Sequence, residues 1–172
     1  MKFLNVEIKA HCNQPQWVEQ QLLKAKADYK GIDHQIDTYF HIPEGRLKLR
    51  EGAIENALIF YQRPNQKTAK PSLITYHKTS QEANSLKSVL NDALSTKVIV
   101  DKQRKIFFID NVKFHIDEVM GLGSFVEIEA IDYNNDIGEE TLQKQCEYYI
   151  EYLNIQSQDL VTVSYSDLLL LE

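Results

Sequence analysis

The sequence predicts an α+β protein in which about eight antiparallel strands close into a barrel flanked by amphipathic helices. Period-2 alternation of apolar and polar side chains dominates the chain, the pattern of strands with two unlike faces. The strand-like segments follow one another across short turns, which favours antiparallel neighbours, and their number suits closure. Three segments with helical spacing interrupt them. With 172 residues, 43% apolar and 26% charged, the chain is expected to form one domain spanning 1–172 with a sizeable core.

The elements follow in order. Over residues 3–10, Phe3, Asn5, Glu7 and Lys9 share one side of a strand, and Leu4, Val6, Ile8 and Ala10 share the other. Residues 15–27 open with Pro15 and space Trp17, Leu22 and Leu23 among polar residues, as an amphipathic helix does. The β-branched and aromatic run 36–42 meets 46–50 through Pro43-Glu44-Gly45, a hairpin pattern. Strands at 57–63 and 73–78 flank a polar loop at 64–72. Residues 81–95 place Leu86, Val89, Leu90 and Leu94 at helical intervals. Then come 97–102 and 104–109, one long strand or two, and a turn at Asp110-Asn111. A strand at 112–118 is separated by Gly121-Leu122-Gly123 from another at 125–131. A third helix over 138–153 carries Leu142, Cys146, Tyr149 and Leu153, and the apolar tail packs on the body as a helix or strand.

Charge separates the chain into two parts. The net charge of -6 argues against a general nucleic-acid binder, which is usually strongly basic. Yet residues 1–114 hold 18 of the 19 Lys/Arg against 12 Asp/Glu, while residues 115–172 hold only Lys144 against 13 acids. No run of 18 apolar residues exists, and Asn5, Glu7 and Lys9 interrupt the start before a signal-peptide core can form, so a membrane partner is not expected. Cys12 and Cys146, each without a neighbouring cysteine, read as reduced thiols in a cytoplasmic protein.

The basic residues fall on strand faces. Arg46, Lys48 and Arg50 share one face, Lys102 and Arg104 another, Tyr61 and Arg63 a third, and Lys9 shares its face with Glu7. Arginine suits bidentate phosphate contact and lysine acts as a point charge; if these faces turn inward, the barrel encloses a polyanion pocket. Glu127 and Glu129 share a face, as do Lys113, His115 and Asp117, and with Glu7 three strands offer carboxylates of the kind that hold hard divalent cations. A cation between carboxylates and bases is what a triphosphate needs. No Walker loop, G-x-G-x-x-G, G-x-S-x-G or H-E-x-x-H motif competes. The histidines His11, His34, His41, His77 and His115 are scattered; His115 stays a candidate because it shares a face with Asp117.

Several stretches resemble the CYTH superfamily, the triphosphate tunnel fold, and in particular its class IV adenylyl cyclase-like branch. They are NVEIK at 5–9, DTYF at 37–40, GRLKLRE at 45–51, LIFYQRP at 58–64, KPS at 70–72, DKQR at 101–104, HIDEVMGLGSFVEIE at 115–129 and SYSDLL at 164–169. The resemblance implies an eight-stranded antiparallel tunnel that binds a triphosphate small molecule with Mg²⁺ or Mn²⁺, commonly as a homodimer. By position it implies Lys9, Lys48, Arg50, Arg63, Lys102 and Arg104 as phosphate-binding bases, with Arg46 in phase beside them and Lys78 and Lys113 also in phase. It implies Glu7, Asp117, Glu127 and Glu129 as metal ligands, with Glu7, Lys9 and Asp117 at the reacting atoms. The implied activity is cyclisation of ATP to cyclic AMP and pyrophosphate; hydrolysis of tripolyphosphate, thiamine triphosphate or a nucleotide, and triphosphate binding without turnover, are the alternatives. One departure stands out: the family's E-x-E-x-K reads Asn5-Val6-Glu7-Ile8-Lys9 here, so the first carboxylate is an uncharged amide.

Overall fold

The alternation in the first strand sorts its side chains inside-out relative to an ordinary sheet. In the computed structural model of the protein, which describes residues 1–62, 70–80 and 84–171, the polar side of β1 (Lys2–His11) faces a central lumen and the apolar side faces outward. The outward Val6, Ile8 and Ala10 are buried because helices cover them: Val18 and Leu22 of α1 (Pro15–Lys24) and Leu142 and Cys146 of α3 (Glu139–Tyr152) join them in one apolar cluster.

The wall comprises β1, β2 (Asp28–Phe40), β3 (Arg46–Glu51), β4 (Ala57–Gln62), β5 (Lys70–Lys78), β6 (Thr96–Ile109), β7 (Val112–Val119) and β8 (Gly123–Asp132). They form a closed barrel in the order β1-β5-β4-β3-β2-β6-β7-β8, every neighbouring pair antiparallel. Eight strands give an interior that side chains can line without leaving a wide pore. Helix α2 (Asn84–Leu94) follows β5, and α4 (Tyr165–Leu169) closes the chain after a short 3₁₀ turn at Ser157–Asp159. Among the described residues no helix is long and apolar enough to cross a membrane.

The segments 97–102 and 104–109, expected as one long strand or two, are one strand, β6. Other boundaries differ from the sequence expectation. The first helix ends at Lys24 rather than at 27, where the chain turns through Lys26 at φ 59°. Strand β2 begins at Asp28, eight residues before 36, and the reason is chemical: Asp33 and Gln35 are fully buried, so its inward phase carries no hydrophobic signal. Of the apolar tail, Leu168 and Leu169 end helix α4 and pack on the body, while Leu170 and Leu171 are exposed; Ser164 and Asp167 form the helix's capping box. The β7–β8 turn uses Gly121 at φ 82° and Gly123 at φ 89°, backbone conformations that L side chains resist. Cys12 and Cys146 are both buried and unpaired. Arg63 and most of the polar loop expected at 64–72 lie outside the described residues; the chain is already strand again at Lys70.

Candidate active site

The inward phases of the wall enclose a cavity of about 260 Å³. Lys9 from β1, Lys48 and Arg50 from β3, and Lys102 and Arg104 from β6 all line it, together with Glu7, Glu127 and Glu129. Of the in-phase lysines, Lys113 lines it and Lys78 is exposed at the end of β5.

Two carboxylate nodes organise the bases. Asp37 on β2 stands opposite Arg50 in register and accepts both its Nε (2.8 Å) and Nη2 (2.9 Å), a bidentate pair. The same carboxylate accepts from Lys48 Nζ at 2.9 Å and Lys102 Nζ at 2.8 Å. Burial alone would raise its pKa, but Arg50, Lys102 and Lys48 together hold it well below the ordinary carboxylate range. Lys102 shows the converse: burial pushes its ammonium down to about 7, Asp37 opposes the fall, and Arg50, Arg104 and Lys48 add to it.

Glu127 is the second node. Its Oε1 lies 2.9 Å from Lys9 Nζ, and its Oε2 accepts from Arg104 Nη2 at 2.7 Å and lies 3.1 Å from His115 Nδ1. Burial works against this carboxylate, yet Lys9, Arg104 and His115 keep it well below its usual range. Lys9 also sits 3.9 Å from the centre of the Tyr165 ring, a cation–π contact at the end of the lumen that α4 covers. Arg104 continues from Glu127 to Asp117, which it grips through Nε (2.7 Å) and Nη2 (2.5 Å), and Tyr165 donates its hydroxyl to Asp117 at 2.8 Å.

Two expected site residues therefore sit elsewhere. Asp117 is bonded by Arg104 and Tyr165, is 1% exposed and does not line the cavity; it holds the Arg104 guanidinium in place. Arg46 also lies outside the cavity; it donates to Asp167 at 2.7 Å and so ties β3 to the cap of α4.

A third carboxylate was missed in the sequence. Glu55, in the loop between β3 and β4, enters the lumen to accept from Arg50 Nη1 at 2.9 Å and to pair with Lys113. Buried Asp33 holds that loop by accepting the N–H groups of Ala53, Ile54 and Glu55 at 2.7, 2.9 and 3.0 Å. Glycine is required at 52, because a Cβ there would stand 2.7 Å from Asp33 Oδ2. Nothing local marks Glu55. Asp37, in contrast, shares the alternation phase of Tyr39, which also lines the lumen, and that phase was a usable signal.

The residues present fit a divalent cation. His115, Glu127 and Glu129 each offer a ligand atom, all within 4.8 Å of one another, and Glu7 stands opposite Glu129 in register. Two carboxylates and one imidazole suit Mg²⁺ less exclusively than an all-oxygen set and admit Mn²⁺.

The fold has counterparts. The PH1012 protein of Pyrococcus horikoshii OT3 superposes with a TM-score of 0.82 over 95% of this chain and 98% of that one, at 20% identity. A candidate adenylate cyclase from Vibrio parahaemolyticus gives 0.78 over 96% and 97%, at 15% identity. The Hippeastrum protein HpAC1, described as an adenylyl cyclase candidate with a dominant triphosphatase activity, gives 0.61 over 98% and 94%, at 11% identity. Likeness at these identities shows a common fold, and comparison with curated protein sequences finds no significant match. The family model for the CYTH domain matches residues 4–165, nearly the whole barrel and its cap, and the chain belongs to that family.

Proposed function

We propose that the protein is a metal-dependent enzyme acting on a triphosphate held in the lumen, and that it converts ATP to cyclic AMP and pyrophosphate. The observation that supports this best is the convergence of Lys9, Lys48, Arg50, Lys102 and Arg104 on one enclosed cavity walled on another side by Glu127 and Glu129. Phosphate oxygens take over bases that Asp37 and Glu127 now neutralise, so the substrate enters a site already built for negative charge.

In the reaction the ribose 3′-oxygen bonds to the α-phosphorus while the bond from that phosphorus to the β-phosphate bridge breaks and pyrophosphate leaves. The hydroxyl proton passes to Glu7, on the lumen face of β1. Lys9, Arg50 and Lys102 grip the β- and γ-phosphates, and Asp117 keeps Arg104 aimed at the lumen. Such transfer depends chiefly on positioning and charge, so no covalent nucleophile is needed. Glu127, Glu129 and His115 are the residues that would hold Mg²⁺ or Mn²⁺, which supplies charge neutralisation at the phosphates when bound.

A hydrolase on the same lumen is the second reading, supported by the triphosphatase activity ascribed to the Hippeastrum neighbour. Incubating purified protein with Mn²⁺ and either ATP or tripolyphosphate separates them. Cyclic AMP with pyrophosphate is the expected result; orthophosphate instead assigns the hydrolase. Binding without product marks a triphosphate-binding module, and no rise in melting temperature with either ligand at millimolar concentration overturns all three readings.

A further inference from the structure

The lumen is closed at one end and open at the other. Tyr39, Tyr61 and Tyr165, each 6% exposed or less, shut it around Lys9. The hydroxyl bond from Tyr165 to Asp117 and the Arg46–Asp167 pair hold that end closed. Met1, 67% exposed, and Tyr133, 44% exposed, line the opposite end and mark the mouth. A linear chain of phosphates therefore meets a wall beyond Lys9, and any added length extends towards the mouth.

Glu55 stands in that path. It enters from the loop between β3 and β4, and its partner Lys113 is on β7, three places from β3 around the eight-strand ring, so the pair spans the lumen. Burial and then the charge of Glu55 raise the pKa of the Tyr76 hydroxyl, and burial, Glu129 and Glu55 raise that of Tyr133. The carboxylate therefore lies at the mouth end. In register Lys113 faces Glu129, and Glu129 faces Glu7. That level is one inward step, about 7 Å, mouthward of the level shared by Lys9, Glu127 and His115.

The carboxylate is fixed where it stands. Besides the three N–H groups that bind Asp33, the loop is tied by Asn56, which bonds Gly52 through Oδ1 (3.1 Å) and Nδ2 (2.6 Å). Glu55 Oε2 accepts from Arg50 Nη1 at 2.9 Å and Gln35 Nε2 at 3.1 Å, and Oε1 takes Lys113. Lys113 and the Nη1 edge of Arg50 are thereby committed to a seated acid. A phosphate arriving at this level meets a carboxylate whose bases are taken, and an anion drawn from water without a partner is penalised. A neutral group in the same place incurs no such penalty. Resting on the reading of the lumen as a triphosphate site, we infer that Glu55 is a specificity-determining residue: it withholds Lys113 and Arg50 Nη1 from the ligand, ends the base-lined stretch and disfavours a fourth phosphate.

The test is isothermal titration of wild type, Glu55→Gln, Glu55→Asp and the double variant Glu55→Gln/Lys113→Met with linear tetraphosphate and tripolyphosphate in Mn²⁺. Both ligands chelate the metal, so the quantity read is the ratio of tetraphosphate to tripolyphosphate affinity, compared between proteins. A hydrogen bond from a charged donor is worth about tenfold in affinity, so Glu55→Gln, which releases Lys113, should raise that ratio about tenfold. Glu55→Asp keeps the charge but is one methylene shorter, so it should raise the ratio by less, and it carries the test if the amide variant does not fold. In the double variant the released base is gone, and the ratio should return to that of wild type. A carboxylate that only braces its neighbours would alter both affinities by one factor. An unmoved ratio in the folded single variants therefore overturns the inference and leaves the triphosphate site standing. Failure of wild type to bind either ligand overturns the triphosphate reading, and this inference falls with it.

Discussion

The wall made by β1, β7 and β8 and the wall made by β3, β4 and β5 share one barrel but are held by different forces. Behind the first lies a continuous apolar cluster: Phe114 and Ile128 are fully buried, as are Leu22 and Leu142 of the covering helices. Its carboxylates Glu127 and Glu129 thus project from a firmly packed support. Among the described residues the second wall is packed less continuously: Leu49 is fully buried, Ala57, Ile59 and Tyr61 form a small cluster in which Ile59 and Tyr61 face the lumen, and outward Leu73 is 58% exposed. Here Asp37 and Glu55 brace the bases from within. The first wall presents Glu127 and Glu129, with Lys9 and Lys113, on a packed support, whereas Lys48 and Arg50 of the second are held by ion pairs.

Truncation should separate the walls most sharply. Phe114→Ala should destabilise the protein by about 3–5 kcal/mol in chemical denaturation, the usual cost of emptying an aromatic site in a packed core. Leu73→Ala, at an exposed position of the second wall, should stay within about 0.5 kcal/mol; equal losses would dissolve the contrast. Removing the internal brace comes next. Asp37→Asn strips the counter-charge from Arg50, Lys48 and Lys102 and should cost about 3 kcal/mol, as loss of one partner in a buried ion pair does. Tripolyphosphate should then raise the melting temperature of this variant by more than that of wild type, because the ligand restores the missing charge. A uniform rise in both would mean that Asp37 does not occupy the place of a phosphate.

A smaller effect is expected from a single base. Lys48→Met should weaken triphosphate binding about tenfold, the loss of one charged hydrogen bond. The mildest effect is on pH. With its pKa near 7, Lys102 is largely neutral in the empty lumen above that pH, whereas a bound polyanion favours its ammonium. Binding should therefore take up a proton, and affinity should fall about fivefold from pH 7 to 8 through this group. Titration in buffers of different ionisation enthalpy reads the uptake directly, and Lys102→Arg, which stays charged, should abolish it.

Much of the site was legible because alternation marks which side chains share a face. Lys9 with Glu7, Lys48 with Arg50, and Glu127 with Glu129 were each paired by spacing, and each pair does line the lumen. The same rule placed Arg46 and Asp117 with them, yet Arg46 reaches Asp167 and Asp117 is taken by Arg104. Phase gives the face and not the position along it or the partner met there. The first half of β2 escaped notice because Asp33 and Gln35 are polar and fully buried, a combination that leaves no hydrophobic period. Glu55 was invisible for a different reason: it reaches the lumen from a loop, held by hydrogen bonds to a residue 22 positions away.

By itself the sequence determined most of the strand set, the two unlike faces of those strands and the family to which the barrel belongs. It could not determine which face is inside, since period-2 alternation is symmetric between lumen and exterior. That was decided by α1 and α3, which cover the apolar faces of β1, β7 and β8 and leave the polar ones to the lumen. Nor could it place Asp37 among three bases: closure sets β2 between β3 and β6, so a carboxylate meets Lys102 across 65 residues of chain. Charge pairing in a closed barrel is a long-range property, and only the order of strands around the ring reveals it.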